Sequence, residues 1–182
     1  MRYVCLLRGV NVGGNNKVAM GDLKTCFEAL GLHDVSTYIN SGNVLFRAHN
    51  TTEAALIGVI ELALQRQLNL ALRVTVVSYN TLANAITAAP VGWGTTADRK
   101  HNLLFVRPPV TTAQVMAGIG APKPEIETVT AGDGVIFWSA SLANFGRTAS
   151  SKLAGKPIYQ EVTVRNYNTS MELLRRLTAM PD

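Results

Sequence analysis

The sequence predicts an α+β protein built from two βαββαβ units in tandem, with an extra helix at the C-terminal end. Three observations carry this. An apolar run without alternation opens each half, at residues 2–8 and at 103–106, and is closed by an arginine, Arg8 or Arg107. A stretch of helical period follows each run. A pair of short strands joined by a glycine turn follows each helix.

The elements of the first half read in order. Residues 2–8 have the continuity of a strand buried on both faces, and a Gly/Asn loop spans Gly9 to Asn16. Leu23, Cys26, Phe27 and Leu30 fall at i, i+3, i+4 and i+7, the stripe of an amphipathic helix that Gly31 ends. Residues 35–40 alternate, Ser41-Gly42 turns the chain, and Val44-Leu45-Phe46 return as a buried strand. Asn50 with Glu53 is expected to cap a long helix carrying Leu56, Ile60, Leu64 and Leu68, after which residues 72–77 alternate as a strand.

This order is the ferredoxin-like split βαβ, or α/β-plait, in which strands one and three are central and strands two and four are edges. The unalternated segments fit the centre, and 35–40 and 72–77 fit half-covered edges. A helix with Leu82 and Ile86, ended by Pro90, and a Gly/Thr-rich stretch from Gly92 to Ala97 then connect to the second unit. There, residues 103–106 are a strand, 111–119 a short helix, 125–130 and 135–140 strands joined by Gly132-Asp133-Gly134, and 147–154 a weak helix. A strand over 161–165 and a helix bearing Leu173, Leu174 and Leu177 complete it. The expected division is residues 1–78 for unit one, 79–100 for the connecting helix and linker, and 101–182 for unit two with its closing helix. Side-chain identity between the halves is negligible, so the repeat rests on element order. The sheet face that the first unit's own helices leave open is expected to be covered by the second unit.

Composition narrows the class. The chain has 182 residues, 47% of them apolar and 16% charged, enough for a sizeable core and too apolar for disorder. No apolar run reaches the roughly 18–20 residues that span a bilayer, and the first stops at Arg8, too early for a secretory leader. Cys5 and Cys26 lie in apolar-periodic segments, as core residues of a reducing cytoplasm. His33, His49 and His101 have no ligand spacing with them, so no metal and no cofactor is expected. No nucleophile-elbow, zincin or Ser-x-x-Lys pattern occurs, and Asp22, Glu161 and Asp133 read as helix, edge-strand and turn residues, so no catalytic residue is assigned.

Two segments stand out as sites. The loop Gly9-Val-Asn-Val-Gly-Gly-Asn-Asn-Lys17 joins a central strand to a helix, where backbone amides and a helix N-terminus can hold an anion. It is no Walker motif: Asn15 stands where the lysine belongs. Turn chemistry alone would also account for its glycines and asparagines, but Arg2, Arg8 and Lys17 precede the first acid, Asp22. In the second segment, residues 163–172, Asn168 or Thr169 is expected to cap the final helix, with Thr169 and Glu172 as a capping box. Arg165 and Asn166, not needed for the cap, could fix a carboxylate or phosphate, or tie the units together.

These segments and the turn Tyr38–Val44 resemble the bacterial domain of unknown function 1697 family. The matching stretches are Leu6-Leu-Arg-Gly-Val-Asn-Val-Gly-Gly14, Asn40-Ser-Gly-Asn43 and Thr163-Val-Arg-Asn-Tyr-Asn-Thr169, and the resemblance spans essentially the whole chain. It implies the tandem architecture. It implies no reaction or ligand, because the family has no established activity. Val10 replaces the usual Ile, Tyr167 the usual Trp and Asn15 a frequent Lys, which removes one positive charge from the loop.

The resulting expectation is a cytoplasmic protein that binds an anionic small ligand, a nucleotide or phosphorylated metabolite, between the two units. The candidate binding residues are Arg8, Asn11, Gly13, Gly14 and Lys17 of the loop, Asn40, Ser41 and Asn43 of the turn, and Arg165, Asn166 and Asn168. Nucleic-acid binding is the alternative suggested by the net charge of +5 and pI near 9.5. It lacks stacking platforms, since the central strands offer only Tyr3 and Phe46. An enzyme that uses Arg and Asn to hold an oxyanion is the third reading.

Overall fold

The computed structural model describes residues 1–11, 16–40 and 42–181. It is a mixed α+β protein with two four-stranded antiparallel sheets. The chain divides into two compact units: Met1–Leu82 together with the chain end from Leu173, and Ala83–Glu172. Among the described residues no helix is long and apolar enough to cross a membrane.

The first unit runs β1 (Arg2–Leu7), α1 (Met20–Glu28), β2 (His33–Tyr38), β3 (Asn43–Arg47), α2 (Glu53–Leu68) and β4 (Val74–Ser78), in the sheet order β2-β3-β1-β4. Tyr3, Cys5 and Leu7 of β1 point into a core completed by Leu23 and Phe27 of α1 and Ile60 and Leu64 of α2. Phe46 ties it together, stacked on Tyr3 at 5.7 Å and met edge-on by Phe27 at 5.6 Å. Val4 and Leu6, on the opposite face of β1, are just as buried, which is why this strand reads as an unbroken apolar run.

Two local expectations are corrected here. β4, expected to be half covered, is buried along its whole length. Its alternation in residue type is not one in exposure, because the polar Thr75 is buried with its apolar neighbours; the strand then runs on to Ser78, whose hydroxyl bonds Thr81 Oγ1 (2.8 Å) and whose N–H donates to Glu53 Oε1 (2.7 Å). The cap of α2 is Thr52, whose Oγ1 accepts from the Ala55 N–H, and not Asn50, which takes a left-handed φ of 50° two residues earlier. Glu53 is thereby released to reach Ser78 and Thr81.

The second unit runs β5 (Arg99–Val106), α4 (Thr112–Ile119), β6 (Glu127–Ala131), β7 (Val135–Ser141) and β8 (Val162–Asn166), in the order β6-β7-β5-β8. α3 (Tyr79–Thr87) precedes it and α5 (Tyr167–Ala179) follows. The weak helix expected at 147–154 is instead part of three consecutive 3₁₀ helices, Leu142–Arg147, Ser150–Gly155 and Pro157–Glu161. Gly146, Gly155 and Pro157 interrupt any longer helix. Between them Thr148 and Ser151 hold the backbone with their own hydroxyls, from Thr148 Oγ1 to Phe145 O and from Ser151 Oγ to Thr148 O.

The buried carboxylate of Glu127 organises this segment. It accepts from the N–H groups of Lys123 (3.2 Å), Ala149 (2.6 Å) and Ser150 (3.3 Å). Desolvation alone would push its pKa up, but these hydrogen bonds outweigh burial and hold it below the ordinary value. Leu153 then completes a core with Leu104, Ile136, Val115 and Val162.

Candidate anion-binding cleft

Among the sequence-derived residues of the first unit, Asn11, Asn40 and Asn43 hold the loop and the turn after β2. Asn11, at a left-handed φ of 54°, donates both Nδ2 hydrogens, to Val18 O (3.0 Å) and Asn40 O (3.1 Å), and its Oδ1 accepts from the Val18 N–H (3.0 Å). One side chain thus closes the loop and fastens it to the turn after β2. Asn43 is fully buried and closes the same turn through its bond to Tyr38 O. Gly42 is required there, since a Cβ would fall 2.8 Å from that of Leu7 at a φ of 76°. Asn40 contributes its carbonyl, Arg8 is half-buried, and Gly13, Gly14 and Ser41 lie outside the described residues. Lys17 is exposed on an open depression of about 540 Å³, which it shares with the acid Asp22.

The second unit holds a different arrangement. A cleft of about 370 Å³ is lined by Thr96 and by Arg99, Lys100 and His101 at the start of β5. Asn166, Tyr167 and Asn168, where β8 passes into α5, and Leu142 also line it. Among the described residues no carboxylate lines it.

Its Tyr167 wall is packed on aromatic rings. The Tyr167 ring meets Trp93 edge-on at 5.0 Å, Trp93 meets Phe137 at 5.2 Å, and the Trp93 indole N–H donates to Asn102 O. The N-cap of α5 is Asn166, whose Oδ1 accepts from the Thr169 N–H at 2.8 Å; this corrects the expected Asn168 or Thr169 cap. An amide oxygen fits because it satisfies the third N–H of the turn while the first N–H groups, without intrahelical acceptors, remain at the positive end of the helix dipole.

The Lys100 ammonium sits 4.5 Å over the Phe145 ring. His101 is almost fully buried: its Nδ1 lies 2.8 Å from Ser139 Oγ, and its Nε2 lies 3.1 Å from both the carbonyl oxygen and Oγ1 of Thr96. Among the described residues no hydrogen-bond acceptor or acid engages the Arg99 guanidinium.

Asn166 and Asn168 both line this cleft. Arg165 stands one residue back on β8, paired with Leu103, its Nη1 bonded to Val164 O, and is not among the lining residues. Arg99, Lys100 and His101 went unrecognised because they follow the Gly/Thr-rich linker. Their signal is a run of three basic-type side chains directly ahead of an apolar strand.

A family model described as protein of unknown function (DUF1697) matches residues 1–137. The chain is similar to a solved structure, that of the conserved bacterial protein SP0830 from Streptococcus pneumoniae. The two are 30% identical over 97% of this chain and 98% of that one, with a TM-score of 0.85. No curated protein matches.

Proposed function

We propose that this chain, which belongs to the DUF1697 family, binds an anionic small ligand, a nucleotide or phosphorylated metabolite, in the cleft of its second unit. The observation that carries the reading is the lining itself: Arg99 and Lys100 border the same cleft as Asn166, Tyr167 and Asn168 at the amino end of α5, and among the described residues no carboxylate lines it. The volume of about 370 Å³ falls within the range of small-molecule sites. A guanidinium can take two oxygens of a phosphate in parallel, and the Asn168 amide can add a neutral donor. A small ligand is favoured over nucleic acid because Tyr3 and Phe46, the aromatics of β1 and β3, are buried and unavailable for stacking.

The reading includes a ferredoxin-like plait for each unit, supported by strand orders that put the first and third strands of each sheet at its centre. A cytoplasmic setting is supported by Cys5 and Cys26, both buried thiols.

Thermal melts of the wild type and of Arg99→Ala, each with inorganic phosphate and with a nucleotide mixture, test the proposal. At a ligand concentration 100-fold above Kd the wild type gains about 2.7 kcal/mol, which raises Tm by roughly 2–4 °C per kcal/mol for a chain of this size. The variant should lose that increment. An increment that is absent from the wild type, or undiminished in the variant, overturns the reading.

A further inference from the structure

The Thr96–His101–Ser139 contact is more than a buried polar bridge. Nε2 lies 3.1 Å from both the carbonyl oxygen and the hydroxyl of Thr96; the carbonyl only accepts and the hydroxyl can accept too, so both suit a ring that carries its hydrogen on Nε2. In the neutral ring the other nitrogen, Nδ1, then presents its lone pair, and the group in front of it at 2.8 Å is the Ser139 hydroxyl. In that tautomer Ser139 Oγ–H donates to a base that a main-chain carbonyl supports from behind. That is the relation between nucleophile, base and orienting group used in acyl transfer, with the carbonyl in the place of an acid.

The placement fits. His101 and Ser139 are paired across β5 and β7. Both line a second cavity of about 200 Å³ with Trp93, Thr128 and Arg99. His101 and Arg99 border this cavity and the neighbouring cleft alike. A molecule in the smaller cavity can thus reach Ser139 while an anionic substituent meets Arg99.

We propose that Ser139 is a nucleophile activated by His101 and that its substrates are small carboxylic esters bearing an anionic group held by Arg99; the anionic half of this statement rests on the cleft reading above. Ser139 Oγ bonds to the ester carbonyl carbon as its proton passes to His101 Nδ1. The tetrahedral adduct collapses with cleavage of the ester C–O bond, and the departing alkoxide takes the proton from Nδ1 and leaves as an alcohol. Water then attacks the acyl-Ser139 carbonyl, giving its proton to Nδ1. When the acyl–Ser139 bond breaks, that proton returns to Oγ. The sum is ester plus water to carboxylic acid plus alcohol.

The test uses the full chain and a neutral alkyl fluorophosphonate, which needs no anion site. Intact-mass and peptide analysis should find one adduct, on Ser139. Ser139→Ala should abolish it, and His101→Gln, which keeps a hydrogen-bonding side chain, should slow labelling by roughly 100-fold, the scale of a lost general base. Nitrogen NMR of the wild type should show His101 protonated at Nε2 and bare at Nδ1. No adduct, an adduct on another residue, labelling undiminished in His101→Gln, or the opposite tautomer each overturns the proposal. Labelling at Ser139 by a protein that gives no melt response to anions would sink the cleft reading and leave the nucleophile standing.

Discussion

The Tyr167 ring occupies the space that a side chain at Gly94 would need: a Cβ built on Gly94 falls 2.1 Å from a ring carbon, at a backbone φ of 87°. Trp93 also packs on the ring, edge-on at 5.0 Å. Gly94→Ala must therefore displace the tyrosine or shift the strand entry. Overpacking and the left-handed backbone each cost about 1–2 kcal/mol, so a urea denaturation midpoint should reveal a loss of at least about 2 kcal/mol. A variant as stable as the wild type would show that the ring swings freely, which contradicts the wall described for the cleft.

Glu127 makes stability depend on acidity. Its folded pKa is depressed, so its contribution is present above the unfolded value, about 4.5, and is lost as pH falls through the lower folded value. Glu127→Ala leaves the N–H groups of Lys123, Ala149 and Ser150 without their acceptor and should cost about 3 kcal/mol or more at neutral pH. Chemical denaturation from pH 7 down to 3 should show the gap between wild type and variant narrowing below pH 4.5. A gap of constant size would mean that the carboxylate is not the group that titrates.

Asn11 and Lys17 belong to one loop yet should respond oppositely to truncation. Asn11→Ala removes three hydrogen bonds and places alanine at a positive φ, for a loss of about 2 kcal/mol. Lys17→Ala trims an exposed side chain and should stay within about 0.5 kcal/mol. Equal melting points for the two variants would refute the tie between the loop and the turn at Asn40.

Arg2 secures the end of α5. Its Nη1 donates to the carbonyls of Leu177 (3.0 Å), Thr178 (3.1 Å) and Met180 (3.3 Å), and its guanidinium carbon lies 4.2 Å from the centre of the Tyr79 ring. A cation at a helix C-terminus that also covers an aromatic ring contributes about 1–2 kcal/mol. Arg2→Ala should accelerate amide exchange in the last turn of α5 and leave β6 and β7 unaffected. Exchange unchanged at the helix end would show that Leu173 and Leu177, both buried, hold it without help.

What the sequence disclosed depended on range. Burial on both faces of β1 and β3 is written in consecutive apolar residues, and the stripe of Leu23, Cys26 and Phe27 gives α1, because in each case neighbours along the chain share one environment. The burial of β4 escaped because a buried Thr75 looks the same, in one dimension, as a solvated one. Asn11 drew notice as a candidate ligand donor, but its partner at residue 40 belongs to a turn that only folding brings near. The cleft shows both cases: Asn166 and Asn168 lie in a recognisable segment, whereas Arg99, Lys100 and His101 acquire meaning only when β8 pairs with β5 and sets α5 in front of them.

The aromatic wall also makes the protein its own optical instrument. Its two tryptophans sit in different places: Trp93 borders the cavity of Ser139, while Trp138 is stacked on Phe145 with an indole N–H that meets no acceptor among the described residues. Both are buried, so both should emit at short wavelength in the folded state and shift to the red on unfolding. Trp138→Phe would leave a single fluorophore whose N–H is fixed to Asn102 O and whose ring touches Tyr167. Any occupant of the cleft that moves Tyr167, or any group added to Ser139, would then be read as a change in the emission of one ring, without a label.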